Sequence, residues 1–169
     1  MRKGFSKEKR ISYIRNFIFG VQDSFGSTGG FLSGIAIGGV DQKTLLLSGT
    51  VLIFVEAFSM AVGSLLSEHT VREYKLRKSL PLKNSIVGPI IMFFSYALTG
   101  FIPLMPYILF WGPYSLILSI SISLLVLLIV GILSAKLFQI NILHHTKEML
   151  LIGGPAILIG VLVGKLFPY

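Results

Sequence analysis

Five apolar stretches, each about as long as a bilayer is thick, fill most of this chain of 169 residues and constrain its fold more than any other feature. A helix needs about 20 predominantly apolar residues to cross the hydrocarbon core. Residues 16–40, 44–67, 84–110, 114–138 and 148–167 meet that need. Backbone groups inside lipid must pair with one another, so such stretches fold as helices. The sequence therefore predicts an all-α integral membrane protein with five transmembrane helices. Residues 1–15 form a basic arm, and residues 16–169 form one five-helix domain. Charged residues are only 13% of the chain, roughly half the share of a soluble domain. The apolar run after the arm is too long and too rich in glycine for a signal peptide, and it leads into further spans.

The breaks between stretches are polar or aromatic. Asp41-Gln42-Lys43 is a tight turn between the first two. Phe110-Trp111-Gly112-Pro113-Tyr114 parts the third from the fourth, with aromatic rings suited to the membrane surface. Pro103 and Pro106 are expected to kink or end the third helix there.

Charge sets the orientation. Basic residues cluster in the arm (Arg2, Lys3, Lys7, Lys9, Arg10, Arg15), between spans two and three (Arg72, Lys75, Arg77, Lys78, Lys83) and between spans four and five (Lys136, Lys147). Five crossings put all three segments on one side, with only Lys43 and Lys165 opposite. The positive-inside rule makes that side, and the amino terminus, cytoplasmic. A net charge of +8 distributed in this way marks membrane flanks and gives no sign of nucleic-acid binding. With no organellar targeting segment in view, the expected address is a prokaryotic plasma membrane.

Two carboxylates, Asp23 and Glu56, lie inside spans. A charge at mid-membrane costs at least about 2.5–3.5 kcal/mol on insertion scales, so it is paired, protonated or functional. At 100° per residue Asp23 and Ser27 share a face with Gly26, Gly30, Gly34 and Gly38, a small-residue stripe that lets another helix approach closely. Glu56, Ser59, Met60, Gly63 and Ser67 share a face of the second span. Glu56 and Met60 stand one turn apart, so carboxylate and thioether meet at one point. Oxygen ligands suit hard divalent ions, and the thioether adds affinity for softer ones such as ferrous iron. Plain structural readings compete: the stripe as packing, Met60 as filler, Asp23 reaching for the interface. Glu68, His69 and Glu73 are candidates for cytoplasmic metal recruitment. Glu68–Arg72 and Glu73–Arg77 also have ordinary salt-bridge spacing, and His144-His145 before Glu148 and Met149 reads as metal ligand or interfacial loop. Without cysteine, a paired metal-ligating histidine motif or a phosphate loop, no enzyme is expected.

The chain resembles the vacuolar iron transporter family. Arg15-Asn16-Phe17-Ile18-Phe19-Gly20-Val21-Gln22-Asp23 followed by Gly34-Ile35-Ala36 is similar to that family's first-helix signature. The run from Glu56 through Ser59-Met60 and Gly63 to Ser67 is similar to its second-helix motif. Pro103-Leu104-Met105-Pro106-Tyr107 and Lys147-Glu148-Met149-Leu150-Leu151-Ile152-Gly153-Gly154 resemble the end of its third helix and the entry to its last. The resemblance implies a five-helix homodimer without a permanent cofactor. It implies export of ferrous iron or manganese from the cytosol against inward proton flow, along a path near the dimer axis. Asp23 and Met60 take the places of that family's pathway aspartate and methionine. The chain departs from the family in three places. Leu52 stands where a pathway Glu is usual, with Glu56 one turn away. Ser64 replaces another Glu. The link at residues 68–83 is too short for the Glu-rich metal-binding domain of many members. Those losses suit an alternative, a non-transporting membrane subunit packed against a partner.

Overall fold

The polar breaks are where helices end in the computed structural model, which describes the backbone of residues 2–169 and the side chains of residues 9–83 and 85–169. The element order is α1 (Arg2–Gly38), α2 (Gln42–Leu76), a 3₁₀ turn (Leu82–Ser85), α3 (Val87–Leu109), α4 (Pro113–Phe138) and α5 (Ile142–Leu166). No strand occurs among the described residues. The arm charges expected at Arg2, Lys3 and Lys7 lie outside the described side chains.

Local chemistry explains the boundaries. Gly39 ends α1 with φ +91, a conformation that a side chain would oppose. Asp41 caps α2: its Oδ1 accepts from the Thr44 amide at 2.7 Å and its Oδ2 from the Thr44 hydroxyl at 2.9 Å. Gly112, at φ +125, turns the chain into Pro113 at the start of α4. Asn141 caps α5 through the His144 amide. In α3 the helix continues past Pro103 and ends within a turn of Pro106, at Leu109. Both rings are buried against neighbouring helices, and the Pro103 carbonyl accepts the Ser119 hydroxyl of α4 at 2.8 Å. Pro103 and Pro106 lack the N–H groups that would bond the carbonyls of Thr99 and Ile102, and packing against neighbouring helices is what allows proline inside membrane helices.

The Asp41 cap carries a pH prediction. The Thr44 amide, then its hydroxyl, holds the Asp41 carboxyl below the usual carboxylate range. A depressed pKa adds stability that is complete above the ordinary value, about 4, and is lost as pH falls through the folded one. Hydrogen exchange at the Thr44 amide, corrected for the intrinsic rate, should lose protection as pH drops below about 4. Asp41→Asn should remove that dependence.

α2, α3, α4 and α5 are each long and apolar enough to cross a membrane. Their outward surfaces carry large apolar side chains such as Leu47, Phe58, Leu98, Leu125 and Leu151, each more than half exposed. An apolar surface of that extent belongs in lipid or against a partner. α1 falls short of the same composition, and its position explains why. It is the central helix, packed on all four others, so glycine and serine stand where a lipid-facing helix would carry leucine.

The glycine stripe of α1 packs within the chain. Gly26 faces Gly153, Gly30 faces Ala156, Gly34 faces Gly160 and Gly38 faces the carbonyls of Gly164 and Phe167, all on or just beyond α5. The close approach that the stripe allows is therefore made within the chain by α5, with its own small residues. A Cβ on Gly30 would come within 2.5 Å of the Ala156 carbonyl oxygen, and one on Gly34 within 2.6 Å of that of Gly160. On its other sides α1 meets α3 through a Ser24–Thr99 hydrogen bond of 2.7 Å, and meets α2 where Leu32 lies over Gly49. The main core, around Leu32, Leu45, Ile53, Tyr96, Leu104 and Tyr107, sits between α1, α2 and α3.

A candidate ion site between three helices

The packing of α1 against α2 and α3 brings Asp23 and Glu56 to one place. Glu56 projects from the middle of α2 and accepts a hydrogen bond from the hydroxyl of Tyr96 on α3. The same hydroxyl lies 2.5 Å from Ser27 Oγ on α1. Ser27 in turn donates to the backbone carbonyl of Asp23 at 2.9 Å. Tyr96 and Ser27 have one hydroxyl proton each, so with the Tyr96 proton given to Glu56, the Ser27 proton is shared between the Tyr96 oxygen and the Asp23 carbonyl. Asp23 and Glu56 are near enough to interact electrostatically. The result is a chain of oxygens, Asp23–Ser27–Tyr96–Glu56, that crosses three helices inside the apolar zone.

Tyr96 is the member that sequence reasoning missed. It is wholly buried, and it supplies the contact that aims Glu56 inward. A tyrosine within an otherwise apolar run, flanked by Ser95 and Thr99, was the available signal, because a buried phenol needs a partner. Tyr96→Phe should cost about 1 kcal/mol, the scale of an interhelical hydrogen bond in a membrane protein, read by thermal unfolding in detergent.

The other members of this face lie towards its open side. Met60 is half-buried against the main core, one turn from Glu56. Ser59 and Gly63 are exposed, and a Cβ at Gly63 would meet nothing within 4 Å. Asp23, Ser27 and Glu56 are each half-buried, so the cluster borders the outer surface of the bundle.

The recruitment trio separates. Glu68 turns towards α1, where its Oε1 accepts from Ser12 Oγ and from Asn16 Nδ2, both at 2.5 Å, and stands 3.5 Å from Arg15. Asn16, buried at 1% exposure, uses its amide oxygen to accept from Ser64. Gly88 leaves the room, since a Cβ there would come within 2.7 Å of Glu68 Oε1. His69 and Glu73 stay together at 3.4 Å, and Glu73 also accepts from the Leu80 amide. Sequence proximity misled here: 100° of helix separates Glu68 from His69, and α1 offers Glu68 better partners. His144 and Glu148 pair at 3.1 Å, while His145 reaches Ser134 of α4. No group of three or more His, Asp or Glu side chains gathers as a metal site among the described residues.

The comparisons with known proteins agree with the residues that first suggested a family. The sequence model of the VIT family matches residues 14–86 and residues 66–165, which together run from the end of the basic arm almost to the end of α5. No curated protein matches the chain. With the helical bundle, its membrane-length apolar helices and this match, the chain is an integral membrane protein and belongs to the vacuolar iron transporter (VIT) family, whose members are membrane metal-ion transporters.

Proposed function

We propose that the chain exports divalent metal cations, ferrous iron or manganese, from the cytosol in exchange for protons, and works as a homodimer with five spans per protomer. The observation that carries this reading is the clustering of Asp23, Ser27, Tyr96 and Glu56 at one point of the membrane zone. Two carboxylates supply hard oxygen ligands, and Met60 adds a thioether one turn away. A carboxylate holds a proton or a metal ion, and either displaces the other, which is the elementary step of exchange.

The fifth span is α1. It runs beside α5 from Gly26 to Gly38, and α5 has the length and apolarity to cross. With four helices packed on it, α1 crosses with only a small apolar surface of its own, at Phe17 and Phe19. Five crossings gather the basic segments on one side, which the positive-inside rule makes cytoplasmic.

The open side of the cluster supports the dimer. Glu56, Ser59, Gly63 and Ser67 form a polar, small-residue strip on the surface of a helix whose flanks, Phe54, Val55 and Phe58, are apolar and exposed. A carboxylate facing hydrocarbon is costly. A second copy placing the same strip opposite would cover it and double the number of ligands.

The test is metal flux into proteoliposomes, screened across ferrous iron, manganese, cobalt, zinc and calcium, with and without a pH gradient. Flux of iron or manganese that rises with an opposing proton gradient is the expected result. The alternative of a non-transporting subunit is favoured by one observation, the dispersal of Glu68 from His69 and Glu73. It predicts no flux of any ion.

A further inference from the structure

We propose that a groove between the first helix and the end of the second, at the basic end of the bundle, holds the phosphate group of an anionic lipid. The groove has a volume of about 410 Å³, enough for a phosphorylated headgroup. Lys9 and Arg15 line it from α1, and Arg72 and Lys75 line it from α2. The Ser12 hydroxyl adds a polar group. Among the described residues Glu68 is the single carboxylate in the lining, and it already accepts from Ser12 and Asn16 and faces Arg15. Arg72 reaches Ser85 at 3.3 Å, which holds its guanidinium beside the groove.

The sign of the charge decides the class of ligand. Among the described residues four basic side chains and one carboxylate line the groove, and that excess of positive charge repels a free metal cation and attracts an anion. Arginine and lysine together suit phosphate oxygens, the first as a planar fork and the second as a point charge.

The position decides the source. The groove begins just beyond Phe17 of α1 and Leu66 of α2, both more than half exposed, where basic residues start to alternate with the apolar ones. Ile11, Val71 and Leu76 form an apolar lip on the same groove. A lipid phosphate lies at that depth with its acyl chains beneath, and polybasic clusters beside a membrane span are attracted to anionic lipid.

Native mass spectrometry of the full chain in detergent tests the assignment, with phosphatidylglycerol, phosphatidylcholine and inorganic pyrophosphate added separately. Phosphatidylglycerol should bind at least about tenfold tighter than phosphatidylcholine, in line with the attraction of basic clusters to anionic lipid. The double variant Lys9→Gln/Lys75→Gln should lose most of that preference, and Lys9→Arg/Lys75→Arg should keep it. Lys43→Gln, at the opposite end, should bind as the unaltered chain does. Equal retention of the two lipids, or unchanged phosphatidylglycerol binding in the double Gln variant, would overturn the site. Pyrophosphate binding as tightly as phosphatidylglycerol would overturn the lipid assignment in favour of a soluble anion. None of these readouts depends on transport.

Discussion

Asp23→Asn should reduce metal flux in proteoliposomes at least about a hundredfold while leaving the bundle folded. The substitution keeps the size and shape of the side chain and removes its charge. Its effect on the fold should be small, because the contact from Ser27 goes to the backbone carbonyl of Asp23, which Asn retains. Its effect on the ion should be large. An interaction with a charged group is worth about 1.5–3 kcal/mol net, and 1.4 kcal/mol is a factor of ten. In a dimer the loss is taken twice, once from each protomer. Asn also cannot take up a proton, so any exchange step at that position stops. Glu56→Gln should behave in the same direction, with an added loss of stability as the Tyr96 hydroxyl exchanges a carboxyl acceptor for an amide. Flux that survives Asp23→Asn unchanged would remove the carboxylate cluster from the ion path. The variant must still elute and melt as the unaltered chain does for the flux result to bear on transport.

How legible was this in the sequence? The apolar runs of α2 to α5 were plain, because lipid-facing surface has to be written in the residues themselves. α1 was harder. Its glycines and serines make sense only once four other helices surround it. The stripe from Gly26 to Gly38 announced a close approach but not the approaching helix, since a Gly-xxx-Gly repeat specifies distance and leaves the partner open. The matching residues Ala156, Gly160 and Gly164 recur at the same spacing on α5, and pairing the two stripes was the inference available. Spacing on one helix brought Glu56, Ser59 and Met60 to a common face. It could not supply Tyr96, which comes from α3, nor Asn16, whose amide joins Glu68 to Ser64 across α1 and α2. Both are long-range contacts set by packing. The prolines of α3 marked its boundary only coarsely for a related reason: neighbouring helices bury both rings, and the helix runs on to Leu109 before it ends.

The α1–α5 seam gives the other large effect. Gly160→Ala adds one methyl group, and that Cβ would overlap the backbone carbonyl of Gly30. A side-chain neighbour could rotate away; a helical carbonyl cannot, so the two helices must part. Gly164 repeats the geometry one turn on, against the Gly34 carbonyl, so parting at one point loosens the next. Lipid offers helices no hydrophobic drive to associate, and close packing carries most of the affinity between them. Overpacking in a tight core costs about 1–3 kcal/mol and occasionally more. With backbone against backbone along the central helix, Gly160→Ala should cost about 3 kcal/mol or more, read as a lowered midpoint of thermal or denaturant unfolding in detergent. Gly63→Ala makes the same chemical change on α2, where a Cβ meets only open space within the protomer. Alanine favours helix over glycine by about 0.8–1 kcal/mol, so that variant should hold or raise the stability of the protomer. Opposite signs for one substitution on two helices would locate the tight seam between α1 and α5 and leave the α2 face free for a second copy. Equal, small effects would mean that α1 and α5 do not touch backbone to backbone, and α1 would then lose the protein surroundings that let so polar a helix cross.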